Sequence, residues 1–333
     1  MAYDSSSFGV VALAAYRPDW DLFRTQLRSI QDQSHTDFVC LISADGGDQE
    51  IAEFVKAELN DDSRFRVLGF PERLGFYGNF ERVLQAVPLE AQWVALADQD
   101  DLWYPSKLET LIPQLNDVAL VSGQARVVRN PGHEVVADST ARKNVPFGAL
   151  VAQNQVTGSL CLFRRELLDL ALPFPRLETI TQVHDHWLAV CAAATGGAVV
   201  VEEVLQDYVQ HGGNVLGEVE GHQGILSSWR HLASMSKKYH GSQSLLAMLR
   251  TSNDLSFGWR RAMVDCLKAR VAINSADLET GLSAFSSGHA WRPTLRVLWS
   301  GLRSGDIAAP CFLEFVAGAP AELFVNGFGS RRR

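Results

Sequence analysis

Five apolar residues, Trp93–Ala97, run directly into Asp98-Gln99-Asp100-Asp101, followed by Leu102 and Trp103. So short and apolar a run reads as a strand buried on both faces, and such strands belong to sheets that helices cover on both sides. Its end cannot be equally dry. Three carboxylates within four residues repel one another unless something positive joins them. A divalent cation suits that place, because Mg²⁺ or Mn²⁺ takes carboxylate oxygen and keeps positions open for phosphate. In an open α/β sheet, ligands bind beyond the carboxyl ends of the strands, so a nucleoside diphosphate is expected at this corner. The plainer alternative is that Asp98 or Asp101 caps a helix opened by Pro105. A cap would use one of the three acids.

The chain before this run alternates strand and helix. Strands are expected at Gly9–Ala15, Phe38–Ser43 and Phe65–Gly69, with helices at Trp20–Gln33, Gln49–Leu59 and Phe76–Val87. That order implies right-handed crossovers and a mostly parallel sheet. After a helix at Pro105–Leu115 the pattern loosens. Ala119–Val128 and Glu134–Ala137 flank the turn signal Asn130-Pro131-Gly132, which suggests a mixed portion of the sheet. Gly158–Phe163 reads as a strand, Arg165–Leu170 and Asp185–Ala194 as helices, and Val199–Val201 and Val204–Tyr208 as closing strands. From about Glu218 the texture is helical: Ile225–His240, Ser244–Arg250, Trp259–Ile273, Leu278–Phe285, Pro293–Leu302 and Phe312–Phe324. The expected class is α/β, a mixed and mainly parallel sheet flanked by helices, with a C-terminal helical appendage. The expected division is 1–217 and 218–333.

Composition narrows the function classes. With 47% hydrophobic and 20% charged residues, the 333-residue chain is ordinary globular material. Cys40, Cys161, Cys191, Cys266 and Cys311 form no CxxC pair and read as packing residues in a reducing compartment. No signal peptide is visible, and no apolar run reaches the roughly 18–20 residues that span a bilayer, so a cytoplasmic protein is expected. Residues 1–217 carry 16 Lys+Arg against 29 Asp+Glu, and residues 218–333 carry 14 against 9. An acidic body argues against a nucleic-acid partner. The basic tail, with Trp229, Trp259, Arg260, Arg261, Trp291, Arg292, Arg296, Trp299 and Arg303, suits an anionic surface or a lipid interface. Packing helices are the alternative.

Asp45 follows the second strand in a turn made permissive by Gly46 and Gly47. A carboxylate there can accept the N–H of a pyrimidine base, although Asp-Gly is also an ordinary turn. Arg73, Gly75, Tyr77 and Asn79 precede or open the third helix at the same sheet edge. Arg73 can hold a phosphate or a base; a solvated surface Arg is the default.

These pieces, in this order, resemble the family 2 glycosyltransferases, nucleotide-sugar enzymes of the GT-A (Rossmann-like) fold, and within them the rhamnosyltransferase-like bacterial group. The resemblance rests on Ala15-Tyr16-Arg17-Pro18, Gln26-Leu27-Arg28-Ser29-Ile30 with Gln33-Ser34, Ser43-Ala44-Asp45-Gly46, and Arg73-Leu74-Gly75 with Asn79-Phe80. It continues through Asp98-Gln99-Asp100-Asp101-Leu102-Trp103, Asn154 to Thr157-Gly158-Ser159, and Pro173-Phe174-Pro175. His184-Asp185-His186-Trp187 and Tyr208-Val209-Gln210-His211-Gly212-Gly213-Asn214 complete it. Ala44 and Gly47 depart from the family's acid and hydroxyl positions, Arg17-Pro18 replaces a usual Asn, and Arg73 stands where Asn is common. All these departures lie on the nucleotide side.

The resemblance implies an inverting transfer of a sugar, rhamnose among the candidates, to a hydroxyl of a cell-surface glycan or lipid-linked oligosaccharide. Ala15, Tyr16, Asp45, Arg73, Asn79, Asp98, Gln99 and Asp100 would bind the nucleotide sugar. Asp98, Asp100 and His211 would hold Mn²⁺ or Mg²⁺. Asp185 would be the general base, oriented by His184 or His186, and Asp101, Trp103, Gly158, His184, His186 and Trp187 would meet the acceptor. Trp187 can equally pack. The tail would contact membrane, acceptor or a second subunit, with peripheral attachment at the inner membrane face. The alternatives are a metal-dependent nucleotidyltransferase or phosphohydrolase, with His184-Asp185-His186 as ligands in the latter, and a nucleotide-sugar-binding pseudo-enzyme without turnover.

Overall fold

The computed structural model describes residues 2–4, 6–70, 72–177, 182–211, 225–287 and 291–329, with backbone alone for 225–231 and 320–329. The motif residues Gly212, Gly213 and Asn214, the expected boundary at 217/218 and the side chain of Trp229 lie outside the described residues. In chain order the elements begin β1 Gly9–Ala15, α1 Trp20–Gln31, β2 Phe38–Ala44, α2 Asp48–Glu58, β3 Phe65–Gly69, α3 Gly75–Gln85 and β4 Trp93–Ala97. They continue with β5 Leu102–Trp103, α4 Lys107–Leu111, β6 Leu120–Arg129, β7 Glu134–Ala137, α5 Phe147–Ala152, β8 Cys161–Arg164, α6 Leu167–Ala171, α7 His184–Thr195 and β9 Ala198–Gln210. Among the described residues there follow α8 Ile225–His240, α9 Leu245–Asn253, α10 Trp259–Lys268, α11 Ala276–Phe285, α12 Trp291–Ser304 and α13 Ala309–Gly329.

The chain forms two compact units. The first gathers Met1–Asn144, Gln155–Phe174 and His184–Glu218. Its described strands make one mixed sheet in the order β3-β2-β1-β4-β8-β6-β9-β5, with β7 beside β6. The strands β3, β2, β1 and β4 are parallel, with Ala15 level with Ala44 and Ala44 level with Gly69. Strand β8 then enters antiparallel. This is the expected mixed α/β architecture, and β1 and β4 are fully apolar and buried apart from Ala14, as strands covered on both faces must be.

Helix α1 shows how the local sequence builds a layer. The Asp19 side chain accepts the amide hydrogens of Asp21 and Leu22, which caps the first turn. Phe23, Gln26, Leu27 and Ile30 then recur at helical spacing and are the residues it buries. They join Val11, Leu13, Ile42 and Trp93 in one apolar core.

Several boundaries differ from the sequence reading. The helix expected at Pro105–Leu115 is α4 followed by a tighter turn over Ile112–Asn116, because Pro113 cannot continue an α-helical ladder. The three residues Gly158–Leu160 form a 3₁₀ turn, and the strand starts only at Cys161. The two closing strands are one, β9, whose pairing with β6 shifts register near Gln124. The five cysteines form no disulfide among the described residues.

The second unit gathers Val145–Asn154, Pro175–Val183 and Val219–Arg333, and its described elements are helical. The Phe147 amide at the start of α5 donates to Asp277 at 3.0 Å, and the Arg260 guanidinium donates to the Ala152 carbonyl at its end. Among the described residues no helix is long and apolar enough to cross a membrane.

Candidate functional site

The chain leaves β1 for β2 and β3 on one side and returns to β4 on the other, so the strand order reverses between β1 and β4. At such a switch point the loops diverge and leave a crevice. The Tyr16 amide donates to Gln99 Oε1 at 2.8 Å, and Gln99 Nε2 donates back to the Tyr16 carbonyl at 3.3 Å. This pair locks the loop after β1 to the acidic turn after β4.

Within that turn the carboxylates take different places. Asp101 is buried; it accepts the Val209 amide at 3.1 Å and Gln206 Nε2 at 3.0 Å, both from β9. Burial, and then the Asp100 charge, push its carboxyl up to about 7. Lys107 donates to Gln206 Oε1 at 2.6 Å and to the Ser159 carbonyl, with its ammonium 3.5 Å from the centre of the Trp103 ring. Burial drives the Lys107 amine well below its ordinary value. Gln206 also donates to Ser159 Oγ at 2.8 Å. Asp101 and Trp103 thus belong to a strap that fastens the acidic turn to β9 and to the Gly158–Leu160 turn. None of the three acids caps α4, whose N-cap is Ser106.

Asp98 is half-buried, and among the described residues its carboxylate accepts no hydrogen bond. Burial and the charges of Asp101, Asp100 and Asp185 raise its carboxyl well above the usual range. The contribution from Asp185 puts that residue within electrostatic reach of the acidic corner. Asp100 Oδ2 and His211 Nε2 lie 2.7 Å apart, and this hydrogen bond raises the imidazole above its ordinary value.

Asp185 sits in the first turn of α7, where the helix dipole favours a carboxylate. Its Oδ2 accepts the Gly158 amide at 2.9 Å and its Oδ1 accepts the His186 amide at 2.6 Å. A side chain at Gly158 would meet His184 Nε2 at 2.8 Å, so glycine is required for this approach. His184 is buried, stacks on Phe80 with ring centroids 3.8 Å apart and meets Phe76 edge-on. Among the described residues neither of its ring nitrogens has a hydrogen-bond partner, and burial drives it down to about 3. A ring enclosed by Phe80 and Phe76 is poorly placed to be a metal ligand. Trp187 is wholly buried and donates its indole N–H to the Ala171 carbonyl. That position suits packing and leaves no indole face open to a sugar.

On the other side of the switch point, Asp45 is buried and its carboxylate is fully engaged. It accepts the amides of Leu74 and Gly75 at 2.8 Å each and Arg82 Nη2 at 3.1 Å, with Arg73 Nε 3.9 Å away. Asn79 donates to the Ser43 carbonyl at 2.9 Å and accepts from Ser43 Oγ and Arg82, so its amide ties β2 to α3. Both expected nucleotide contacts are therefore committed to closing the loop around Gly75. The open groups here are Tyr16 and Arg73: the exposed guanidinium lies 4.0 Å from the centre of the half-buried ring. Beyond Gly46, at φ +114°, a side chain would meet nothing within 4 Å.

Arg82, Lys107 and Gln206 are the residues that sequence reasoning misses. For Arg82 a signal exists, since it lies three residues beyond Asn79 and shares its helix face.

The donor chemistry fits a divalent cation. Asp98 is a crowded carboxylate without a hydrogen-bond donor, and Asp100 and His211 already approach each other as two ligands would. Among the described residues no three His, Cys, Asp or Glu side chains are gathered as a metal site. Further positions would fall to the diphosphate.

Residues 10–169 match the family model described as Glycosyl transferase family 2. That stretch is similar to the family 2 glycosyl transferases. The match takes in β1 to β4, the acidic turn and the Gly158 turn. No curated protein sequence matches the chain. Solved glycosyltransferases share the fold of the domain and its helical extension. The mannosyltransferase PcManGT from Pyrobaculum calidifontis, in complex with GDP-Man and Mn²⁺, superposes with a TM-score of 0.52 at 15% identity, over 97% of this chain and 89% of that one. TarS 1–349 of S. aureus, in complex with UDP-GlcNAc, superposes with a TM-score of 0.51 at 12% identity, over 96% and 92%. The fold is accordingly that of the GT-A glycosyltransferases.

Proposed function

We propose that the protein is an inverting, metal-dependent glycosyltransferase of the rhamnosyltransferase-like group. It moves a hexose, rhamnose being the candidate, from a nucleoside diphosphate to a hydroxyl of a surface glycan or a lipid-linked oligosaccharide. The observation that carries this reading is Asp185, held by the Gly158 amide beside the acidic corner whose Asp98 carboxyl it helps to raise. A deprotonating group and a diphosphate site are needed on two sides of one cleft, and these residues supply both roles.

Asp185 takes the proton of the acceptor hydroxyl as that oxygen bonds to the anomeric carbon. The carbon–oxygen bond to the diphosphate breaks on the opposite face, and one displacement inverts the centre. The Gly158 and His186 amides hold the two carboxylate oxygens in place for that proton transfer. Tyr16 and Arg73 offer a ring and a guanidinium to the base and phosphates. Mn²⁺ or Mg²⁺ held by Asp98, Asp100 and His211 would supply charge neutralisation to the departing diphosphate. GDP-Man with Mn²⁺ in PcManGT and UDP-GlcNAc in TarS are the precedents for the donor class. The enzyme would work at the inner face of the membrane, where a lipid-linked acceptor is presented, with residues 218–333 as the acceptor, membrane or subunit region.

A donor screen tests this. Nucleoside diphosphate sugars with Mn²⁺ or Mg²⁺ should raise the melting temperature, and the stabilising donor should release nucleoside diphosphate only when an acceptor is added. Release of nucleoside monophosphate or inorganic phosphate instead would move the assignment to phosphoryl chemistry.

A further inference from the structure

In the helical unit, Arg292, Arg296, Trp299 and Arg303 of α12 recur at spacings of four, three and four, which aligns them on one helix face. All four are exposed. Trp291 beside them is 52% exposed and Trp299 56%. Among the described residues none of the three arginines has an ion-pair or hydrogen-bond partner. The opposite face of α12 buries Thr294, Leu298 and Gly301, so packing is satisfied without the stripe. Helix α13 extends it: Trp299 lies 6.1 Å from Phe312, ring centre to ring centre. Val316 one turn on is exposed, as is Leu313. Glu314 is the one exposed acid among the described side chains of these two helices.

A packing helix would turn its tryptophans inward, and a merely soluble one would mix the signs of its charges. This face does neither. It combines cations without partners, two half-exposed indoles and aliphatic side chains over a helix about 21 Å long. Water contact with the indoles and Leu313 is unfavourable, and an anionic plane would relieve both defects together: headgroup phosphates for the guanidinium groups, the acyl boundary for the rings.

We propose that the α12–α13 face docks on the surface of a bilayer containing anionic lipid, with α12 lying in the plane of the headgroups. The proposal places the membrane contact of the reading above on named residues, yet its observations do not depend on the reaction. Its failure would leave the transfer assay untouched.

The test is co-sedimentation of the full chain with vesicles of phosphatidylcholine mixed with phosphatidylglycerol, against vesicles of phosphatidylcholine alone. The protein should pellet with the mixed vesicles, stay in solution with the neutral ones, and be released as salt rises. Replacing Arg292, Arg296 and Arg303 together by Ala should lower partitioning on the order of a hundredfold, about fivefold for each charge. Trp299→Ala should weaken binding while preserving the salt slope. Lys237→Ala with Lys238→Ala on α8 should leave it unchanged. Unchanged melting temperatures confirm that the variants fold. Wild-type protein that stays in solution with mixed vesicles overturns the proposal, as does a triple variant that pellets like the wild type. A dimer in sedimentation velocity that the triple variant abolishes also overturns it, because the face would then be a subunit interface.

Discussion

Arg82 and Asp45 form a buried ion pair, Nη2 to Oδ1 at 3.1 Å, beneath the loop that carries Arg73. The guanidinium also reaches Asn79 Oδ1 and the Glu72 carbonyl and stacks over Phe70 at 4.1 Å. One cation thus holds the ends of β2 and α3 together. Removing one partner of such a pair leaves the other charge buried and uncompensated. Arg82→Met should therefore destabilise the chain by about 3 kcal/mol, read from urea denaturation. Arg73→Ala at the exposed neighbour should change stability by less than about 0.5 kcal/mol while weakening donor binding.

His184 makes stability pH-dependent with a defined sign. In the fold its imidazole is held down to about 3 by burial, against an ordinary 6.5. Below the ordinary value the unfolded chain binds a proton that the folded chain refuses, so stability falls as pH drops from about 6.5 towards 3. His184→Phe keeps an aromatic ring on Phe80 and should flatten that part of the stability profile. Parallel profiles for wild type and variant would show that the ring titrates normally.

The strap beneath the acidic turn makes its own prediction. Lys107→Met retains an apolar stem on Trp103 but leaves Gln206 Oε1 and the Ser159 carbonyl without their donor. The expected cost is about 1–3 kcal/mol in denaturant unfolding. An unchanged midpoint would mean that Gln206 and Ser159 find other partners.

Much of this fold is legible in the sequence, for physical reasons. Strands β1 and β4 are unbroken apolar runs, and β1, β2 and β3 are each followed by a helix with apolar residues at helical spacing, so the alternation of strand and helix is plain. The acidic turn is legible because three charges end an apolar run, whereas Gly158 reads as the start of a strand and stands in a 3₁₀ turn. The polar core is not legible. Lys107 stands in a short helix among Glu and Thr and reads as a solvated lysine; only the tertiary structure carries Gln206 and Trp103 to it. Strand β5 is two residues long and exists through its pairing with β9, which no local pattern announces. Asp45 and Asn79 are found as polar groups at the right edge, but whether they face a ligand or one another depends on Arg82, which lies on a neighbouring turn of α3.

Donor binding should separate the acids by role. Asp100→Ala or His211→Ala should weaken the metal-dependent affinity for the nucleotide sugar at least about tenfold, roughly 1.4 kcal/mol, in calorimetric titrations with and without Mn²⁺. Equal affinity in wild type and variant, with the metal present, would remove Asp100 and His211 as ligands.

The most direct test is Asp185→Asn. Asparagine keeps an oxygen for the Gly158 amide but cannot accept the acceptor proton. Titration of the variant should give donor affinity close to wild type, and single-turnover transfer should fall by about two to four orders of magnitude. Transfer at the wild-type rate, with donor bound equally well, would contradict the assignment of Asp185 as the base.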